Sequence, residues 1–317
     1  NLNGNITVKG RLKIDKPEVK VVYWAANPPD GVYSFHGRGL PYPSPSIAFE
    51  KTVNKGSIMA INGEFEFEML NKIQGFPAIK YFKDYNANLI KVDSTVKYWI
   101  DAQKKINSDN KLRLFKTHNS LVKLDSGSFT DENNTCGCIN IIRDPRNVIT
   151  SLKDYYELET YEEALEFMFN KKKILYEEVN KKFLNFNFLG SWSFNHKSWI
   201  ETKLFPVLLV KYEDLEESPL ATLEKIIIFI NKVSNLNNEF DKEKAINSIK
   251  NCSFETLEKK EKMSGFPEAN LGEKTKKKIK FFNRGKKNDW KIILPESIKN
   301  KITNEFNDDL KKLNYEI

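Results

Sequence analysis

Three short groups of residues in this chain have the types and spacing to handle an anion. In residues 141–151 an apolar run ends at Arg143, Pro145 follows, and Ser151 stands eight positions beyond the arginine. Proline suits the first turn of a helix, where free N–H groups, the positive end of the helix dipole and a guanidinium fork all favour a bound phosphate. A plain strand-to-helix corner with a surface arginine accounts for the segment equally well. In Lys116-Thr117-His118 a lysine and a histidine, two residues apart at the end of an apolar run, leave a strand on the same side. Such a pair can take a proton from an attacking hydroxyl and hold a departing anion; a satisfied structural histidine is the plainer alternative. Lys211-Tyr212-Glu213-Asp214 closes another apolar run, either as a ligand-facing strand end or as an acidic helix start that offsets the dipole.

These groups need a scaffold that gathers strand ends, and the pattern beyond residue 69 supplies one. Strands are expected at 112–115, 137–142 and 207–210, and helices at 96–106, 145–158, 161–180, 191–202, 219–231 and from 241 onward. Strands separated by helices imply an α/β fold, a parallel sheet with helices on both faces, and ligands in such sheets collect beyond the carboxyl ends of the strands. Residues 1–68 read differently, as a β-rich segment. Apolar positions alternate at Ile6 and Val8, at Leu12 and Ile14, and at Val19 and Val21. A Pro- and Gly-rich loop is expected over 27–46, and Asn62-Gly63 between two apolar runs predicts a type I′ hairpin. Two domains follow, 1–68 and 69–317.

Bulk properties narrow the function without naming it. At 317 residues the chain can bury a large core, and Lys+Arg of 51 against Asp+Glu of 43 gives +8. That excess suits an anionic small molecule and does not call for nucleic acid. Cys136, Cys138 and Cys252 cannot all pair, which points to a reduced, cytoplasmic setting; Cys136-Gly137-Cys138 lacks the further ligands of a zinc site, so no metal is expected. No apolar run approaches the ~20 residues of a membrane span. No signal-peptide pattern is present, and a start at Asn1 without methionine fits a fragment.

Taken in order, Lys116-Thr117-His118, then Arg143-Asp144-Pro145-Arg146-Asn147-Val148 with Ser151, then residues 209–215, then Phe281-Phe282-Asn283-Arg284-Gly285 with Asp289-Trp290-Lys291, resemble the sulfotransferases that use 3′-phosphoadenosine 5′-phosphosulfate (PAPS), particularly the small bacterial members. The resemblance covers residues 63–317. It implies the P-loop-like sulfotransferase fold, PAPS as sulfonate donor, and a hydroxyl or amino acceptor on a small molecule or glycan. By the same resemblance His118 is the catalytic base and Lys116 steadies the transferring sulfonate. Arg143 and Ser151 grip the 3′-phosphate, converging only if their helix folds back over the nucleotide. Arg284 and Gly285 close a C-terminal loop on that phosphate, Tyr212 lies near the nucleotide, and Trp192 lies near the cofactor and acceptor pocket. Sulfonate transfer needs alignment and charge neutralisation more than covalent help, which these residue types can supply.

One family element is missing. The glycine-rich loop that holds the 5′-phosphosulfate has no match; residues 21–31 place Pro29 and Asp30 where a lysine and a serine are expected, and Lys55-Gly56-Ser57 leads into the hairpin. A proline lacks an N–H and an aspartate repels an anion. Either residues 1–68 are a foreign β-module or the loop has diverged, its task passing to Lys116 and to the lysine-rich run 274–280, itself more simply a solvated helix face. The functional expectation is a PAPS-dependent sulfotransferase, weakened or inactive if the loop is lost; the alternative is a non-catalytic binding or structural protein whose β-module carries Tyr33, Phe35 and Tyr42 among Gly and Pro. A nucleotide kinase would need a Walker lysine that is absent. Phe167, Phe183, Phe186 and Phe188 are expected to be helix core rather than acceptor lining.

Overall fold

A computed structural model describes residues 6–11, 18–26, 34–39, 52–61, 64–69, 74–85, 89, 91–109, 111–180, 183–266, 272, 275 and 279–317, the first five ranges as backbone. The chain divides into two compact units, residues 1–75 with 111–116, and residues 76–110 with 117–317.

The first unit is strand-built. Strands β1 (Ile6–Arg11), β2 (Glu18–Ala26), β3 (Ser34–Gly39), β4 (Thr52–Ile61) and β5 (Glu64–Met69) form one antiparallel sheet in the order β1-β5-β4-β2-β3. Ile61 opposes Glu64, the pairing a two-residue hairpin requires, although Asn62 and Gly63 lie outside the described residues. Register opposes Val8 to Phe67 and Lys9 to Glu66, so period-2 alternation in β1 and β5 puts apolar and oppositely charged positions on different faces. β3 corrects the expectation of a continuous loop over 27–46. Its six residues, two of them the glycines Gly37 and Gly39, complete a main-chain ladder at a sheet edge, where apolar patterning is weakest. Lys55-Gly56-Ser57 lies inside β4, opposite Trp24, Tyr23 and Val22 of β2. Part of the other loop candidate, residues 21–26, belongs to β2, while residues 27–31 lie outside the described set, as do Tyr33 and Tyr42. Two short strands, β6 (Gln74–Gly75) and β7 (Phe115–Lys116), pair in parallel. β7 is shorter than the strand expected over 112–115; Leu112 and Leu114 are exposed and outside it.

The second unit is mixed α/β. Helices α1 (Val92–Val96) and α2 (Trp99–Ile106) precede a small hairpin, β8 (Lys123–Leu124) with β9 (Gly127–Ser128). β10 (Cys138–Ile142) leads into α3 (Pro145–Tyr155) and α4 (Tyr161–Phe169). The helix expected over 161–180 ends at Phe169. After Lys171-Lys172-Lys173 the chain forms an antiparallel pair, β11 (Ile174–Asn180) and β12 (Phe183–Phe188), so Phe183 and Phe186 are strand core, not helix core. No Gly or Pro marks that switch, and aromatic residues pack well on a pleated surface. Next come α5 (Trp192–Ile200), β13 (Val207–Lys211), α6 (Tyr212–Glu217) and α7 (Pro219–Ser234). α8 (Lys242–Asn251), α9 (Phe254–Ser264), α10 (Trp290–Ile293), α11 (Glu296–Glu305) and α12 (Asn307–Lys312) complete the chain. β10 and β13 pair in parallel, Cys138 against Val207 through Ile142 against Lys211, so their carboxyl ends and the starts of α3 and α6 lie together. The basic run 274–280 falls mostly outside the described residues.

Two cores hold these elements. One joins Trp99, Phe82, Phe129, Phe183, Phe186 and Trp199, with Trp99 edge-on to Phe129 at 5.2 Å. The other packs Ile149 of α3 against Ala164, Leu165 and Met168 of α4 and Ile298 and Ile302 of α11. Ile149 is fully buried. A side chain of this kind contributes ~1.5–3 kcal/mol, so α3 is a rigid mount for anything its other face carries. Among the described residues no helix is long and apolar enough to cross a membrane.

Candidate functional site

The three residues following His118 fix the backbone that carries it. Asn119 is buried; its Oδ1 accepts from the Phe188 N–H at 2.8 Å, and its carbonyl accepts from Trp199 Nε1 at 2.9 Å. Ser120 N–H donates to the Phe188 carbonyl at 2.8 Å, its hydroxyl donates to the Leu189 carbonyl, and Leu121 N–H donates to Ser198 Oγ at 2.8 Å. Asn195 Nδ2 donates to the carbonyl of His118 itself at 3.3 Å. The main chain is therefore stitched to β12 and α5, and His118 is an exposed residue. Lys116, the last residue of β7, is also exposed and pairs through its backbone with Gly75.

At the end of β10 the two arginines of Arg143-Asp144-Pro145-Arg146 part company. Asp144 caps α3, accepting from the Arg146 N–H at 2.9 Å. The Arg146 side chain is 1% exposed; its Nε and Nη2 donate to Asp144 Oδ1 and Oδ2 at 2.9 and 2.7 Å, Nη2 also donates to the Glu316 carbonyl at 2.7 Å, and the guanidinium lies 3.9 Å from the Trp290 ring centre. Its Nε and Nη2 donors are taken, and the side chain is closed off from solvent. Arg143 is half-buried, its guanidinium 4.3 Å from the ring centre of Tyr212, and its buried Nε has no hydrogen-bond partner among the described residues. A buried donor left unmatched is costly unless a ligand meets it, and an anionic oxygen is the group that fits. Burial first, then Glu216, pushes the Tyr212 phenol above its ordinary pKa, so it stands there as a neutral ring and donor.

Trp192, the first residue of α5, donates from Nε1 to the Arg143 carbonyl at 3.1 Å and packs on Phe306 at 5.0 Å. α5 thus touches both groups of residues: Trp192 braces Arg143, while Asn195, Ser198 and Trp199 brace residues 118–121. Ser191 starts this helix by accepting from the Phe194 N–H at 3.1 Å.

The C-terminal loop docks along α3. Asn288, buried, donates from Nδ2 to Ser151 Oγ at 3.2 Å and to the Asn147 carbonyl at 2.9 Å, and its Oδ1 accepts from the Thr150 hydroxyl. Arg284 donates from Nε and Nη2 to Asp154 at 2.6 and 3.0 Å. Gly285 has φ +54°, and a Cβ there would come 2.8 Å from the Phe254 ring, so both conformation and space ask for glycine.

A family profile for the sulfotransferase domain matches residues 59–314. The chain belongs to the sulfotransferase family. Among its relatives, Sulfotransferase 1B1 of Canis lupus familiaris is 32% identical over 183 residues, 56% of this chain and 55% of that protein. Sulfotransferase 2A1 of Macaca fascicularis is 26% identical over 200 residues, covering 61% and 63%. The chain spans about half the length of the curated relatives it matches. A solved structure of mouse sulfotransferase SULT7A1 complexed with PAP aligns with a TM-score of 0.42 at 19% identity over 65% of this chain and 70% of that one.

Within this sulfotransferase domain the structure gathers Arg143, Tyr212 and Trp192 at the ends of β10 and β13, and brings Ser151 and Arg284 onto the later turns of α3. α3 runs unbroken from Pro145 to Tyr155, so no folding back of the helix joins Arg143 to Ser151. Sequence reasoning missed Asn195, Asn288 and Asp154. Asp154 was findable in part, standing one turn beyond Ser151; Asn195 and Asn288 reach the site through residues distant in sequence, and no local signal points to that role. Among the described residues no group of three or more His, Cys, Asp or Glu side chains could hold a metal ion.

Proposed function

We propose that this chain binds PAPS and transfers its sulfonate to a hydroxyl or amino group on a small molecule or glycan. The observation that carries the reading is the half-buried Arg143, stacked on Tyr212 with its Nε unmatched, at the junction of two parallel strands with the start of α3. In this reading Arg143, just before α3, and Ser151, on its later turns, reach the 3′-phosphate without any folding back of the helix, together with the loop that carries Arg284 and Gly285, and Tyr212 and Trp192 border the nucleotide. His118 takes the proton as the acceptor oxygen or nitrogen forms its bond to sulfur. The electron pair of the broken sulfur–oxygen bond leaves with the 5′-phosphate, and Lys116 keeps the role the resemblance gives it, steadying the sulfonate. PAPS supplies the activated sulfonate; the protein supplies alignment and charge. Three free cysteines, two of them exposed, support a reducing, cytoplasmic setting.

A second reading, a nucleotide-binding protein without turnover, is favoured by one finding. Lys55-Gly56-Ser57 lies in the middle of an antiparallel strand, and the described residues of 18–61 contain strands but no strand-loop-helix unit. The 69–317 region is then the sulfotransferase-like domain, and residues 1–68 are a separate β-module.

The two readings separate in one experiment. Calorimetric titration with 3′,5′-adenosine bisphosphate tests binding, and transfer from labelled PAPS to a panel of phenols, alcohols, amines and glycans tests turnover. No heat and no thermal shift at millimolar nucleotide would remove both readings. Where turnover is present, His118→Ala should lower it about 10²–10⁴-fold with nucleotide affinity little changed.

A further inference from the structure

Asn147, Thr150, Ser151 and Asp154 recur at the spacing that puts residues on one stripe of a helix. The C-terminal loop reads that stripe from end to end. Trp290 N–H donates to Asn147 Oδ1 at 3.0 Å, Asn288 engages Asn147, Thr150 and Ser151, and Asp154 accepts from Asn283 Nδ2 at 3.0 Å as well as from Arg284. Arg284 therefore sits one helical turn from Ser151 on a helix fixed by its opposite, buried face.

The way Asp154 grips Arg284 is specific. A guanidinium presents five N–H donors in one plane. Asp154 takes the edge formed by Nε and Nη2, which leaves three donors on the remaining edges without a partner among the described residues. The contact is partly shielded, with side chains 31% and 25% exposed. A carboxylate in this position fixes the arginine's plane and direction and keeps donors available for an incoming anion.

We propose that Asp154 is a positioning residue for nucleotide binding: it presets Arg284, through the bidentate contact, for the 3′-phosphate. This rests on the reading of the site as a PAPS site. It also commits against the opposite role, a latch in which Asp154 competes with the phosphate for Arg284.

The test is a double-mutant cycle read by calorimetry with two ligands, 3′,5′-adenosine bisphosphate and adenosine 5′-phosphate, the latter lacking the 3′-phosphate. Asp154→Asn should weaken the bisphosphate roughly three- to tenfold, the scale of re-immobilising one long side chain on binding, and leave the monophosphate unchanged. Asp154→Glu should recover part of the loss. In an Arg284→Ala background, Asp154→Asn should add nothing. Tighter or unchanged binding by Asp154→Asn overturns the proposal, as does equal weakening of both ligands or a full additional loss in the Arg284→Ala background. A folded wild-type chain that fails to bind the bisphosphate overturns the PAPS reading itself and the proposal with it, an outcome distinct from wild-type binding that Asp154→Asn does not alter.

Discussion

Arg146→Met removes one arginine of Arg143-Asp144-Pro145-Arg146 and should behave unlike any change at Arg143. The methionine keeps much of the volume but leaves the Asp144 carboxylate, itself 5% exposed, without its bidentate partner and the Glu316 carbonyl without its donor. Breaking a buried pair from one side costs ~3–5 kcal/mol, because the surviving charge stays desolvated. The Trp290 stacking contact at 3.9 Å adds to that loss. In a unit of this size each kcal/mol moves Tm by about 2–4 °C, so the cooperative transition should fall by roughly 6–20 °C. Thermal melts and urea titrations followed by tryptophan fluorescence give the measurement. Asp144→Asn in the Arg146→Met background should recover much of the loss, since an asparagine still caps α3 and carries no charge. Arg143→Ala should instead leave Tm within about 2 °C and weaken 3′,5′-adenosine bisphosphate by ~10–150-fold, the range for one hydrogen bond to a charged group. A stability loss at Arg146→Met under 1 kcal/mol, or a double variant no better than the single one, would refute the assignment of Arg146 to structure.

Two further outcomes follow from local geometry. Gly285→Ala should destabilise the C-terminal loop by about 1–3 kcal/mol, from its positive φ and the crowded Phe254 ring, and should weaken the bisphosphate in the same titration; full affinity with unchanged Tm would contradict the geometry. His196 is buried against Trp192 and its proton affinity is held down first by burial, so its folded pKa lies below the ordinary 6.5. The unfolded chain then binds the extra proton more readily, so this residue's contribution is present above about pH 6.5 and is lost as pH falls from there through the lowered folded value. Urea titrations from pH 7.5 to 5 should show stability falling with acid, with a shallower fall in His196→Gln; identical slopes would remove His196 as the source.

The strand ends and helix starts were legible because they depend on local chemistry. Pro145 at the first turn of α3 and the apolar run of β10 act within a few residues of one another, and the hairpin of β4 and β5 rests on neighbouring residues. The switch from helix to strand after Phe169 was not legible. Residues 174–180 become β11 because β12 pairs with them and the aromatic core claims Phe183 and Phe186, which is a tertiary preference that overrides local pattern. The same reason hid Asn195 and Asn288. Each side chain satisfies backbone groups 77 or 141 positions away, and no spacing in the sequence encodes such partners. Arg143 and Arg146 looked alike in sequence because only the fold separates a guanidinium locked on a buried carboxylate from one whose buried Nε has no partner among the described residues.

The asymmetry of the site has an energetic consequence for the two functional readings. Everything assigned to the 3′-phosphate hangs on α3 and α5, which share buried cores, so that half is organised before any ligand arrives. The 5′-phosphosulfate half has no such mount among the described residues of 18–61, where the one Lys-Gly-Ser sequence is committed to a β-ladder. Ground-state affinity for a nucleotide draws mainly on the first half, whereas turnover requires donors aimed at the charge that develops on the bridging oxygen. Loss of one preorganised donor there costs about 3–4 kcal/mol, or roughly 10²–10³ in rate. Nucleotide affinity and catalytic rate should therefore come apart in this chain. A bisphosphate affinity that Arg143→Ala destroys, combined with transfer slower than in a sulfotransferase with an intact loop by that factor or more, is the pattern expected. Fast transfer would require a phosphate-binding lysine outside the two candidate segments, and Lys116 is the first residue to substitute in looking for it.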